Sequence, residues 1–305
     1  MSAPRTVGGW SAEARAAWWL LSPALAAIGL FFAVPLFAAL FLSLTDFDLY
    51  GIADLGTVRF VGLGNSADLL ADARFWRAVR NTLVFALLGG PATIAAALFG
   101  AILVDSKLAR AKGFFRTVYF APVVTTLVAA AVVWRAFLHP TYGPVNRIFT
   151  FLGLPAIDWL GDPRWATLAI VSLSVWRTFG YCLVIFVAGL QSIPPSLYEA
   201  ARLDGAGPVQ SFFYVTVPLL KPITLYVSVV TLVAGFNVYG QAFVLASDAQ
   251  GAPGNLVRVL VLDMLENAFR NYRVGYAAAE AVVLLLVVLV LTAIQFGALR
   301  ERGRA

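Results

Sequence analysis

Charge is scarce in this sequence. Only 12% of its 305 residues are Asp, Glu, Lys or Arg, against 61% that are hydrophobic. Soluble domains carry about a quarter charged residues, so an ordinary water-solvated fold is excluded. Cysteine and histidine are scarcer still, with one of each, Cys182 and His139. A lone cysteine forms no internal disulfide, and a zinc site needs three or four clustered ligands. Cys182 stands in an apolar stretch and reads as packing. His139, followed by Pro140 at the end of a hydrophobic run, reads as an ordinary interfacial residue. The net charge of +6 suggests nucleic acid at first sight. The basic residues are scattered, however, and no segment offers the polar, basic face that such binding needs. A P-loop is missing as well. It requires Gly-Lys-Ser/Thr, and none of Lys107, Lys112 and Lys221 follows a glycine. No Ser–His pair, paired carboxylate or ligand cluster inside the apolar stretches supports an enzyme.

What is present is apolar length. A membrane-crossing helix needs roughly 20 mostly apolar residues. Six stretches qualify: 18–44, 81–104, 117–138, 165–190, 222–246 and 275–299. Backbone in lipid must satisfy its polar groups internally. The expected fold is therefore an all-α integral membrane protein with six transmembrane helices, forming a single domain over 1–305. The first stretch is too long for a cleaved signal and contains Pro23 and Pro35; Trp18 and Trp19 at its start read as interface anchors. With both termini in the cytoplasm, basic residues divide almost evenly between the two sides. The short segment Asp105–Arg116 decides for that orientation, because it packs Lys107, Arg110, Lys112 and Arg116 together. No repeat, low-complexity linker or soluble domain interrupts the chain.

The loop over 191–222, between the fourth and fifth stretches, is the most structured in pattern. Pro194 and Pro195 end the preceding helix. Ser196 with Glu199 three residues later predicts a capping box and a new helix. Leu197, Ala200, Ala201 and Asp204 then share a face, and Gly205 predicts a left-handed terminal cap. Pro208 suits the first turn of a second helix, with Val209, Phe212, Phe213 and Thr216 on one side and Pro218 as its limit. On physical grounds this is either a capped interfacial hairpin or a small-residue surface that another protein approaches closely.

Glu199-Ala-Ala-Arg-Leu-Asp-Gly-Ala206, followed by Phe212 and Val217-Pro-Leu219, resembles the EAA loop of ABC-importer permeases, and more narrowly that of the maltose-type carbohydrate permeases. The likeness runs along the chain. It includes Thr45-Asp-Phe47, Phe60-Val-Gly-Leu-Gly-Asn65, Phe75-Trp76 with Asn81-Thr-Leu83, and Arg116-Thr-Val-Tyr-Phe-Ala-Pro122. Tyr142-Gly-Pro-Val-Asn146, Ala188-Gly-Leu-Gln-Ser-Ile-Pro194, Ala268-Phe-Arg-Asn271 and Gly275-Tyr-Ala-Ala278 extend it. The resemblance implies a permease subunit of a bacterial or archaeal inner membrane. It implies a second homologous permease, two ATPase subunits that bind ATP and Mg, and an extracytoplasmic solute-binding protein that delivers a sugar. No cofactor is implied on this chain. Glu199, Ala200, Ala201, Asp204 and Gly205 would form the coupling surface for the ATPases. Two departures stand out. Relatives carry Gly-Gly-Pro after the fifth span where this chain has Ala246-Ser-Asp-Ala-Gln-Gly-Ala-Pro-Gly254, and the segment between the first two spans is short.

Polar groups inside the spans are the candidate substrate path. Arg177 lies roughly 18 Å along the fourth span, at 1.5 Å per residue. It either lines the path or pairs structurally with an acid or with helix carbonyls. Glu280 lies about 8 Å from the start of the sixth span and is expected at the interface. Asn237 and Gln241, four apart, are expected to share a face near Tyr239, either for sugar hydroxyls or for helix–helix hydrogen bonds. Tyr181 flanks Arg177. A glycerol phosphate ester is an alternative substrate, with Arg177 as its anion partner. An ion-coupled carrier is a further alternative, disfavoured by the absence of any sign of broken midplane helices.

Overall fold

The computed structural model describes residues 12–48, 50–105, 112–246 and 257–301. Among these the chain is helical, apart from an isolated antiparallel bridge between Thr45 and Phe60. This is the all-α class expected from composition. The helices are α1 (Ala12–Ile28), α2 (Val34–Leu42), α3 (Tyr50–Ala53), α4 (Gly64–Ala71), α5 (Ala73–Asp105), α6 (Lys112–Val124), α7 (Leu127–Phe137) and α8 (Pro144–Phe151). They continue as α9 (Pro163–Ser192), α10 (Pro195–Leu203), α11 (Pro208–Ser211), α12 (Val217–Leu219), α13 (Lys221–Phe236), α14 (Tyr239–Ala246), α15 (Leu260–Phe269) and α16 (Val274–Glu301).

Four continuous helical segments are long and apolar enough to cross a membrane: Ala14–Leu42, Ala73–Asp105, Arg164–Ser192 and Val274–Gly297. Two bent pairs bring the number to six if each is one span. Thr117–Val124 and Leu127–Phe137 meet at 108°, and Pro208–Leu219 and Lys221–Phe236 at 68°. The straight helix expected over 117–138 is thus corrected. Pro122 lies inside α6, and Thr126 adopts extended backbone with φ −64 and ψ 140. The Thr125 hydroxyl donates to the Ala121 carbonyl at 3.0 Å, capping the break from the side chain. The stretch 222–246 is also interrupted. Asn237, with φ −94 and ψ 26, leaves the helical conformation, and α14 starts again at Tyr239. Broken helices are therefore present, contrary to the sequence reading.

Contacts divide the described chain into two units. The first runs to Leu69 and includes Asn267–Val282. Its long apolar rod, α1 to α2 through a π-turn at Gly29–Ala33, has no buried residue in its most apolar window. The Asn65 amide donates to the carbonyls of Ser43 (2.9 Å) and Thr45 (2.7 Å), and the Gly275 amide donates to Phe47 (2.8 Å). Glu280, expected at the interface, is completely buried within the protein. The turn between α15 and α16 sets Asn267 over it, so that Asn267 Nδ2 donates to Glu280 Oε1 at 3.0 Å. Asn271 Nδ2 in turn donates to Asn267 Oδ1 at 2.9 Å.

The second unit, Leu70–Glu266 and Val283 onward, holds two principal apolar clusters. One joins α5, α7, α9 and α14 through Phe85, Ala131, Ile170, Leu173 and Ala242. The other joins α5, α9 and α13 through Ala97, Leu183, Phe186, Leu220 and Val227, and it encloses Cys182 as packing. The Arg258 guanidinium pairs with Asp263 at 2.5 Å and with Glu266. Asn81 and Thr82 on α5 bond the Arg258 carbonyl and the Leu260 amide, each at 2.9 Å. The expected departure over 246–254 lies, beyond Ala246, outside the described residues.

Helix contact in this unit depends on missing side chains. A Cβ on Gly180 of α9 would fall 1.9 Å from the Tyr119 carbonyl oxygen of α6. The obstacle is backbone, so α6 and α9 must separate to admit a methyl. Gly180→Ala is expected to destabilise the protein by roughly 1–3 kcal/mol through overpacking. Gly297→Ala, with nothing within 4 Å, serves as the control. Thermal unfolding in detergent should show a lowered midpoint for the first variant and no loss for the second.

Candidate functional site

The loop between α9 and α13 forms a compact hairpin. Helix α10 starts at Pro195, with Pro194 at the cap position and no side-chain cap hydrogen bond. The expected Ser196–Glu199 capping box is therefore absent. Proline fixes φ and lacks an N–H, so Pro195 starts the helix without a cap, and Ser196 falls two residues past the cap position. The far end is as expected. Gly205 adopts φ +83. Its amide donates to Arg202 at 3.0 Å, and the Ala206 amide donates to Ala201 at 2.8 Å, the paired bonds of a Schellman turn. One half of a capping box appears instead at the next helix, where the Gly207 amide donates to Gln210 Oε1 at 2.9 Å ahead of Pro208. The second helix does not stop at Pro218. It passes through a π-turn at Phe212–Thr216, and the chain bends at Leu220.

Glu199, Ala200, Asp204 and Gly205 are exposed together on α10 and its turn, while Ala201 is half-buried. Leu203, which the sequence reading overlooked, is 89% exposed at the tip. Tyr198, also overlooked, packs inward against the α5–α9–α13 cluster, and its hydroxyl meets that of Thr216 at 2.9 Å. A spacing argument built on Leu197, Ala200 and Ala201 pointed to the outer face and left Tyr198, one residue on, without a role. Beneath the hairpin lies a cleft of about 650 Å³ lined by Ile102, Asp105, Leu190, Tyr198, Arg202 and Phe212 among others. At its edge Gln191 Nε2 donates to Asp105 Oδ1 at 3.1 Å.

The five expected path residues have different surroundings. Gln241 borders a small cavity of about 30 Å³ with Thr93, Ser174, Thr178 and Thr231. That space fits about one water and is far too small for a sugar. The Thr93, Ser174 and Thr231 hydroxyls donate to carbonyls of their own helices, which leaves oxygen lone pairs toward the cavity. Isolated hydroxyls in apolar runs carry little sequence signal, so this group was missed. Asn237 is exposed at the break, so it shares no helix face with Gln241. Tyr239 stacks on Phe243 at 5.5 Å between ring centres and packs against the core. The Tyr181 hydroxyl meets the Tyr226 hydroxyl at 2.9 Å. Arg177, one turn before Tyr181, is half-buried. Its Nη1 is buried without a hydrogen-bond partner, and no acid pairs with it among the described residues.

Comparison with known proteins decides what kind of chain carries this geometry. The family described as binding-protein-dependent transport system inner membrane component matches residues 6–298. The chain belongs to that family. This inner membrane component is 33% identical over 288 residues to the lactose transport system permease protein LacF of Rhizobium radiobacter, covering 93% of this chain and 94% of the relative. It is 32% identical over 284 residues to the sn-glycerol-3-phosphate transport system permease protein UgpA of Agrobacterium fabrum, covering 93% and 94%. Its fold matches that of a bacterial alginate ABC transporter crystallised with an alginate pentasaccharide-bound periplasmic protein. The TM-score there is 0.76 at 21% identity, over 93% of both chains.

The inner membrane component's hairpin can be tested locally. A Cβ at Gly205 meets nothing within 4 Å, so Gly205→Val probes backbone strain alone, about 1–3 kcal/mol. Hydrogen exchange should show faster exchange of the Gly205 and Ala206 amides and fraying of α10. Glu199→Ala should leave α10 protection unchanged, since no cap is lost. Equal protection in wild type and Gly205→Val would refute the assigned role of the Schellman turn.

Proposed function

We propose that this chain forms half of the translocation path of an ATP-driven ABC importer for a sugar, a mono- or oligosaccharide or similar polyol. In this reading it pairs with a second homologous permease. Two ATPase subunits, which bind ATP and Mg, receive α10, and an extracytoplasmic solute-binding protein supplies the solute. Both termini and the hairpin lie on the cytoplasmic side. The observation that carries the proposal is the hairpin itself. A rigidly capped helix presents Leu197, Ala200, Leu203 and Asp204 to solvent while Tyr198 ties it to the spans, within a chain that has no P-loop of its own. Glu199, Ala200, Ala201, Asp204 and Gly205 are the contact surface for the ATPase.

The breaks support a path on the side of α6–α7 and α13–α14. Irregular backbone does not face lipid; it faces protein or water. Thr126 and Asn237 are exposed in the single chain, so they face a partner subunit or an aqueous route. Arg177, Tyr181, Asn237 and Gln241 are the groups we assign to that route, with Tyr239 holding α14 in place. The sugar assignment follows the lactose relative. A glycerol phosphate ester is the second reading, supported by the Agrobacterium relative and by the unpartnered Arg177 Nη1.

The assembled complex in liposomes should accumulate labelled sugar on addition of ATP, and the chain alone should not. Accumulation by the chain alone would sink the proposal. Gly205→Val should still insert and pair with the second permease but retain little ATPase on purification. Arg177→Ala should lower uptake about tenfold, the loss of one hydrogen bond to a charged group, at unchanged complex yield. A panel of labelled sugars and glycerol phosphate esters separates the two substrates.

A further inference from the structure

Helix α8 (Pro144–Phe151) belongs to none of the candidate sites, and its surface divides into three sectors. At about 100° per residue, Val145, Asn146 and Phe149 fall on one side and are buried or half-buried. Ile148, Phe151 and the following Leu152 form a second sector, and they are 60%, 89% and 64% exposed. Arg147 and Thr150, both exposed, form the third. The exposed surface of α8 is thus half apolar and half polar, with the boundary running along the helix. Leu154, 48% exposed, and Pro155 continue the apolar sector past the helix end.

The helix is held rigidly. Asn146 uses its whole amide, donating to the Pro140 and Ile157 carbonyls at 3.0 and 2.8 Å. Its Oδ1 accepts from the Ile157 amide at 3.1 Å and from Trp159 Nε1 at 3.0 Å. Phe149 meets Trp159 edge to face at 5.6 Å, and Trp159 meets Trp165 at 5.3 Å. Trp165 sits in the first turn of the membrane-crossing helix Arg164–Ser192. The aromatic ladder therefore fixes α8 at the level where that span begins, which is the membrane surface. Both acids of the connection are turned to their own backbone. Asp158 accepts from the Gly161 amide and Asp162 from the Arg164 amide, each at 2.9 Å. No acid pairs with Arg147 among the described residues.

We propose that α8 and residues 152–155 form an interfacial anchor that lies in the plane of the membrane. Ile148, Phe151, Leu152 and Leu154 enter the acyl boundary, and Arg147 meets lipid phosphate at the polar edge. A surface-seated amphipathic helix buries its apolar side about 5–10 Å into that boundary. The occupant is lipid because the ladder sets the helix at the membrane surface, and because the single basic group on its exposed side complements the phosphate layer. The anchor would hold the connection between α7 and α9 at a fixed depth.

The test uses the full chain in its assembled transporter, in nanodiscs of phosphatidylethanolamine and phosphatidylglycerol. Single cysteines at Phe151→Cys and Thr150→Cys carry a bimane label; Cys182 is fully buried, and unmodified protein gives the labelling background. Lipid bearing a doxyl group at carbon 5 should quench position 151 about twofold more than position 150, given the burial depth of such helices. Aqueous iodide should show the reverse order. The pattern should not change when the solute-binding protein is added. Quenching of position 151 by iodide alone would overturn the anchor. So would protection of 151 that appears only with the binding protein, which would make this sector a protein-docking surface. Because 150 and 151 are neighbours on one helix, misfolding cannot produce the difference between them.

Discussion

A peptide group in hydrocarbon has no water to bond, and each unsatisfied group costs several kcal/mol. The architecture of this permease depends on that constraint. It forces helix wherever the chain meets lipid, and it makes every departure from helix a statement about what lies alongside. Where α6 gives way to α7, the Thr125 hydroxyl donates to the Ala121 carbonyl of the last turn. Where α13 gives way to α14, the Asn237 amide donates to two carbonyls of the preceding turn, each at 3.2 Å. Downstream of these breaks, α7 and α14 pack into one cluster with α9. The interruptions are thus built into the core.

Close helix approach follows from the same solvent. Lipid gives no hydrophobic drive between helices, so contact area and backbone proximity hold them. Gly180 against Tyr119 and Gly235 against Ala86 bring two helix backbones nearly to van der Waals contact. Polar bonds then fix register at a few points, such as Asn81 and Thr82 against the segment that carries Arg258. The buried Glu280–Asn267–Asn271 chain does the same within the smaller unit.

Much of this was legible in the sequence where local chemistry decides. Apolar length gave the helical class, and Gly205 after Asp204 gave the left-handed turn. The failures are where a distant partner decides. Distance along the helix gives Glu280 a depth but no partner; Asn267, thirteen residues earlier, bonds it where it is buried in the protein. Ser196 and Glu199 fit a capping pattern, yet two prolines move the helix start two residues earlier. Asn237 and Gln241 keep helical spacing on paper, and the chain turns between them. Tyr198 has no local pattern at all. Its role depends on Thr216, across the hairpin.

The buried Leu220 at the 68° bend has a mechanical consequence. It seats in the same cluster as Phe186 and Leu183 of α9 and Val227 of α13, while the tyrosine–threonine bond braces the hairpin just before it. A load applied at the hairpin tip would reach the cluster through that brace. If the hairpin turned as one piece about Leu220, α10 would be the short arm and α13 the long one. A displacement at the tip would then be larger at Asn237, seventeen residues beyond Leu220.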